Sequence, residues 1–223
     1  MSQPVPEPVS PAVRAQILAT EHWGLLAVRS QTWNEVMGRI TAQLMFTSAS
    51  LLFLALVGQS VGYTDTFRFL AIVLGLTLLT TGTLTAFRVH NASQEDYMFV
   101  KGMNRLRAGY LDIDPGLEPY FITGLTDDEA GIAQTYTMGP ARSASHVAAS
   151  SGVFIIAVNT IVAAGVTAFV LWPLGAWVAA VGGILLGIAH FAWWIYLGWR
   201  NWQLNLTPEW TRFPADRAVG PVS

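Results

Sequence analysis

Ile40-Thr41-Ala42-Gln43-Leu44-Met45-Phe46-Thr47-Ser48-Ala49-Ser50-Leu51-Leu52-Phe53-Leu54-Ala55-Leu56-Val57-Gly58-Gln59-Ser60-Val61 carries no charge and no proline. Wound as an α-helix it rises about 1.5 Å per residue, enough to cross the roughly 30 Å hydrocarbon core of a bilayer. No water reaches backbone N–H and C=O groups there, so such a segment must satisfy them internally, as a helix does. Three further stretches pass the same test, at 69–87, 151–171 and 176–199. The sequence therefore predicts an all-α integral membrane protein with four transmembrane helices in two hairpins. The first hairpin turns at Gly62 to Arg68 and the second at the tight Trp172-Pro173-Leu174-Gly175.

Composition agrees. The 223 residues are 52% hydrophobic and only 12% charged, too few ionic groups to coat a soluble domain. A net charge of −2 offers no field for a polyanion, so nucleic acid is not an expected partner. There is no cysteine, which excludes disulfides, thiolate metal sites and thiol catalysis. The basic residues are eleven arginines and one lysine, Lys101, a bias that suits a GC-rich bacterial source. Met1 to Pro11 lacks the basic-then-apolar pattern of a signal peptide, so the first span is expected to be retained.

Orientation follows from the arginines and lysine, which gather on the cytoplasmic side of short loops. Arg14, Arg29, Arg39, Arg88, Lys101, Arg105, Arg107, Arg142, Arg200, Arg212 and Arg217 fall on one side and only Arg68 on the other. Both termini and the middle loop are thus expected in the cytoplasm of a bacterium, with the spans in its inner membrane. Tyr63, Phe67, Trp172 and Trp177 would mark the outer interface, and Trp194, Tyr196, Trp199 and Trp202 the inner one.

The resulting organisation is a disordered 1–10, an amphipathic cytoplasmic helix over 11–39, a hairpin over 40–87, a cytoplasmic helical loop over 88–150, a second hairpin over 151–199 and a tail over 200–223. Ser10-Pro11 is a cap followed by proline at the first helical position. From there Val13, Ile17, Leu18, Leu25, Leu26, Trp33, Val36 and Met37 recur at helical spacing, a face suited to packing on other helices or on a membrane surface. Past the second span a helix can run to about Leu111, with Tyr97, Val100, Met103, Asn104, Leu106 and Tyr110 on its stripe. Thr126-Asp127-Asp128-Glu129 has the spacing of a capping box, opening a short helix that stops at Gly139-Pro140.

Asp112-Ile113-Asp114-Pro115-Gly116 resembles the start of a calcium loop, but its glycine is one position early and Thr123 stands where a bidentate glutamate belongs. Capping accounts for Asp114, Asp127 and Glu129 without a metal, so no metal and no cofactor is expected. No Asp, Glu, Lys or Arg lies deep in a span, which argues against a carboxylate proton relay and an intramembrane hydrolase. Nor does any nucleophile-base set or phosphate-cradling glycine loop occur, and the chain is not expected to be an enzyme.

Milder polar residues remain within the spans. Gln43, Thr47 and Ser50 follow Arg39 on one helix face, and Thr77, Thr81, Thr85 and Arg88 share another. Such stripes can line a hydrated pore, or bond to the preceding turn and join helices together. In the fourth span Ala179, Gly183 and Gly187 form a small-residue face with His190 after it, a packing seam for a neighbouring span or a second subunit. Asn159 and His190 lie at similar depth and could bond across the second hairpin.

The Leu25 to Glu35 segment, the two-span hairpin and Gly102-Met103-Asn104-Arg105-Leu106-Arg107 together resemble small uncharacterised membrane proteins of high-GC bacteria. The order of a helix, two spans and a trailing cytoplasmic helix is similar to the SLATT effector domains. That resemblance implies a pore-forming role and leaves the second hairpin unexplained. Three functions stay open: a homo-oligomeric channel or pore-forming protein, a membrane scaffold or accessory subunit binding a protein partner through its cytoplasmic helices, and a small transporter. Four spans complete a transport path only by oligomerising.

Overall fold

The computed structural model describes residues 9–138, 148–205 and 211–215. Helix α1, Pro11–Val61, starts where the Ser10 hydroxyl accepts the Val13 N–H at 3.4 Å. The turn after it is short, because the Thr64 hydroxyl accepts the Phe67 N–H and α2, Asp65–Leu111, begins at once. The loop expected over 62–68 is therefore half helix, and Asp65 places its charge at the positive end of the α2 dipole. A 3-10 turn, Pro115–Tyr120, is capped by Asp114, and α3, Glu129–Thr137, follows. Helix α4, Ser151–Leu171, is capped by the Ser150 hydroxyl. One 3-10 turn, Trp172–Leu174, leads to α5, Ala176–Asn205. Gly175 ends that turn at φ 113°, a backbone conformation that a side chain would strain.

No strand occurs among the described residues, and four helices are long and apolar enough to cross a membrane. The protein is an all-α membrane protein that passes the bilayer several times. Its spans leave Leu51, Leu52, Phe53, Leu56, Ile161 and Ile184 exposed, among many other apolar side chains. A surface of that kind needs lipid over it.

The chain forms two compact units. The first draws on residues 1–32, 95–142 and 206–223, and the second on 33–94 and 143–205. In the second unit Val36 and Ile40 of α1 meet Ala86, Val89 and Ala92 of α2, Ile155 of α4 and Trp194 of α5. Helices α4 and α5 lie against each other along the small residues described below. In the first unit Tyr97, Val100 and Met103 of α2 enclose Ile132 of α3, with Leu25 of α1 and Tyr136 against them.

Two sequence expectations change here. Only half of the apolar stripe anticipated on the first helix is its packing face: Leu18, Leu25, Trp33 and Val36 turn inward, while Val13, Ile17, Leu26 and Met37 are exposed. Besides Ala15 and Ala19, the residues turned inward in the first unit are Leu18, His22, Leu25, Arg29 and Thr32, spaced alternately by four and three, and three of these five are polar. The cap of α3 is Asp128, whose Oδ1 accepts the Gly131 N–H at 2.9 Å, while Thr126 donates its hydroxyl to the same carboxylate at 2.7 Å. A carboxylate aimed at free N–H groups outcompetes a hydroxyl as a cap, which displaces the start of the helix by two residues. Helix α3 ends at Thr137, and Gly139 and Pro140, the expected stop, lie outside the described residues. So do residues 1–8 and most of the tail beyond Asn205, Arg217 included.

Candidate functional site

Within the second unit the polar side chains of the spans bond mainly to one another and to helix carbonyls. Gln43 is 4% exposed, its Nε2 donates to the Leu78 carbonyl at 2.9 Å, and its Oε1 accepts the Thr81 hydroxyl at 2.9 Å. Thr47 donates to the Gln43 carbonyl, Thr77 to that of Val73 and Thr85 to that of Thr81. Ser50 is half-buried, and no bond of its side chain occurs among the described residues. Arg88, at the end of its stripe, sits on Glu35 with Nη2 to Oε2 at 2.9 Å, and Arg39 shares that carboxylate at 2.9 Å. Of the stripe residues Gln43 and Thr85 are buried, whereas Thr77 and Thr81 lie at the surface.

Asn159 of α4 is 1% exposed and donates to the Thr83 hydroxyl at 3.2 Å. The Asn159–His190 bond that similar depth suggested is not formed. His190 instead holds the Thr160 hydroxyl on Nδ1 at 2.8 Å and accepts the Trp194 indole N–H on Nε2 at 3.2 Å. Indole can only donate, so Nδ1 carries the proton of the neutral ring. The two residues missed each other because depth along a helix fixes height but not facing. Ala179, Gly183 and Gly187 are buried on α5. A Cβ on Gly183 would stand 2.8 Å from the Ala164 carbonyl oxygen, and one on Gly187 3.3 Å from the Ala164 Cβ. Backbone touches backbone at this seam.

Charge is concentrated in the first unit, and sequence spacing did not reveal its pairings. Arg29 donates from Nε and Nη2 to the two oxygens of Asp96 at 2.7 and 3.3 Å, and the Tyr136 hydroxyl donates to Asp96 Oδ2 at 2.9 Å. Burial, reinforced by that carboxylate, pushes the Tyr136 hydroxyl far above its ordinary range, so it stays a donor. Asn104, fully buried, donates to the Thr126 carbonyl at 2.7 Å and accepts Arg107 Nη1 and the Thr135 hydroxyl, both at 2.8 Å. Lys101 is 2% exposed, and its ammonium makes no hydrogen bond or ion pair among the described residues. Burial lowers its basicity while Asp127 works the other way.

Asp127 itself is 0% exposed and ties two chain segments together. Its carboxylate accepts Arg105 Nε at 2.6 Å, the Arg212 N–H at 2.9 Å and the Phe213 N–H at 2.7 Å. Its own N–H donates to the Phe213 carbonyl at 3.1 Å, and Asp128 Oδ2 accepts the Ala215 N–H at 2.7 Å. Burial works to raise the Asp127 pKa, but the Arg212 N–H, Arg105 and the Phe213 N–H outweigh it and hold the carboxyl below its usual range. The aspartates of the calcium-like stretch are engaged otherwise: Asp112 pairs with Arg14 at 3.1 Å, and Asp114 Oδ1 accepts the Gly116 N–H at 2.9 Å.

Comparison with known proteins returns no family model, no curated protein and no solved structure that matches the chain.

Proposed function

We propose that the chain is an accessory or scaffold protein of the bacterial inner membrane. In this reading the second unit anchors it, and the first unit and both termini lie in the cytoplasm, where the first unit engages a partner. The observation that carries this is the use of polar side chains within the spans. Gln43, Thr81, Thr83 and Asn159 bond between helices of one chain, which is how polar groups hold a bundle together rather than how they hydrate a path. The lack of Asp, Glu, Lys and Arg deep in the spans and the concentration of charge in the first unit support the same reading. The excess of arginine on one side supports the orientation.

A second reading is a homo-oligomeric channel, the role implied by the likeness to SLATT domains. It draws on Thr77 and Thr81, which lie at the outer surface of α2 where a second copy could meet them. Mass measurement in mild detergent, followed by ion flux into proteoliposomes, separates the two. The scaffold reading expects no flux above protein-free vesicles. Flux that falls with Thr81→Leu and changes ion preference with Arg88→Glu would establish the channel instead. Single cysteines at Thr64 and Gly175 should react with an impermeant thiol reagent on intact cells and one at Asn91 should not, and the reverse pattern would invert the topology.

A further inference from the structure

We infer that Asp127 and Asp128 form a recognition site for an extended peptide, filled by the chain's own Arg212-Phe213-Pro214-Ala215 and open by exchange to a partner segment of the same pattern. This deepens the scaffold reading by naming the chemistry of its partner, and the existence of a partner rests on that reading.

The site reads main chain. Asp127 Oδ2 accepts the Arg212 N–H at 2.9 Å, Asp127 Oδ1 the Phe213 N–H at 2.7 Å, and Asp128 Oδ2 the Ala215 N–H at 2.7 Å. The Asp127 N–H donates in return to the Phe213 carbonyl at 3.1 Å, so Phe213 is gripped through both of its backbone polar groups. Pro214 falls at the position whose N–H the site does not take, and proline has none to give. Donor, donor, no donor, donor is therefore the pattern that the two carboxylates recognise. Phe213 and Pro214 are half-buried while Arg212 and Ala215 are exposed, which leaves side-chain selection to the aromatic and proline positions.

The acceptors are positioned by elements other than the tail. Arg105 of α2 holds Asp127 Oδ2 at 2.6 Å, and Asp128 keeps its other oxygen on the Gly131 N–H at 2.9 Å as the cap of α3. The site therefore stays built when the tail leaves. The tail lies beyond the end of α5, so its departure breaks no helix. Asp127 is 0% exposed, and a buried carboxylate stripped of two N–H donors is unfavourable, so an emptied site draws in a replacement with the same donors. Tethering raises the tail's effective concentration to the order of millimolar. A free segment then competes only where it is held close, as on a partner in the same membrane.

The test uses the full chain in phosphatidylcholine nanodiscs and a fluorescent peptide with the sequence of residues 209–217, followed by anisotropy. Phe213→Pro and, separately, Ala215→Pro each delete one donor of the chain's own tail and leave Asp127 and Asp128 in place. Either variant should bind the peptide about tenfold or more tighter than wild type does. A peptide N-methylated at the Phe213 and Ala215 positions keeps every side chain but loses both donors, and its binding to the same variants should be weaker by about tenfold or more. Asp127→Asn added to Ala215→Pro should weaken the plain peptide to a similar degree. Peptide that binds neither tail variant, or methylated peptide that binds as well as the plain one, would overturn the site. Ala215 is exposed, so Ala215→Pro carries the comparison should Phe213→Pro fail to fold. Ion flux into proteoliposomes bears on the scaffold reading alone, and its appearance would sink that reading without touching the peptide result.

Discussion

Three glycines on α4 and α5 should respond to the same substitution with different signs. At Gly165 an added methyl meets nothing within 4 Å, at Gly187 it meets the Ala164 Cβ at 3.3 Å, and at Gly183 it meets the Ala164 carbonyl oxygen at 2.8 Å. Carbon and carbonyl oxygen approach no closer than about 3.3 Å even in a favourable contact, so Gly183→Ala forces the helices apart by roughly half an ångström. Backbone on the far side cannot swing away as a side-chain tip can. Overpacking of that kind costs about 1–3 kcal/mol, set against a gain of about 0.8–1 kcal/mol for replacing glycine by alanine inside a helix. Gly165→Ala keeps the gain alone. The two variants should therefore differ by about 1–3 kcal/mol, with Gly187→Ala between them. Equilibrium unfolding in mixed micelles of mild detergent and dodecyl sulfate, followed by tryptophan fluorescence, reads the difference. A Gly183→Ala protein as stable as Gly165→Ala would mean that α4 and α5 do not touch along this seam.

Gln43→Leu should lose about 0.6–1.7 kcal/mol, and a double-mutant cycle with Thr81→Val should show coupling between the two positions, read in the same micelles. Asp127→Asn should loosen the 211–215 segment, weakening its hold by about 1.5–3 kcal/mol and quickening tryptic cleavage after Arg212. The pH dependence has the same source: the folded carboxyl has the lower pKa, so its contribution is complete above the unfolded value of about 3.9. It fades as pH falls below that value through the folded one, and tryptophan fluorescence of the wild type, but not of Asp127→Asn, should register the loss. Tyr136 has its pKa raised, so its contribution holds below about pH 10 and weakens only above it. Tyr136→Phe should leave the ultraviolet tyrosinate titration unchanged through about pH 11.

The spans were legible because length and freedom from charge are enough to define them, and Ile40 to Val61 meets both criteria without help from any other part of the chain. The inward face of α1 was not. Leu18, His22, Leu25, Arg29 and Thr32 have a regular alternation of four and three, but a search for apolar residues passes over His22, Arg29 and Thr32 and collects Val13, Ile17 and Leu26 from the exposed side. Arg29 belongs inside only because Asp96 and Tyr136 meet it there, 67 residues away for the first of them. The same holds for Asp127, whose sequence neighbours suggest a helix cap while its carboxylate goes to Arg105 and the tail. Gln43 and Thr81 were picked out by spacing as a polar face. Whether such a face turns to water or to a neighbouring helix depends on rotation about the helix axis, which the chain's other helices set.

The clamp at Asp127 also imposes an order on biosynthesis. Its carboxylate is made 86 residues before the Phe213 N–H that it accepts. At about 5–20 residues per second the ribosome needs roughly 4–17 s to supply that partner. During this interval α4 and α5 must be threaded into the bilayer, while Asp127 has Arg105 and the nearby Lys101 charge but neither backbone N–H of the tail. The first unit is thus finished last, and a chain cut short after α5 would hold all four apolar helices yet lack the Arg212 and Phe213 N–H groups that close this joint.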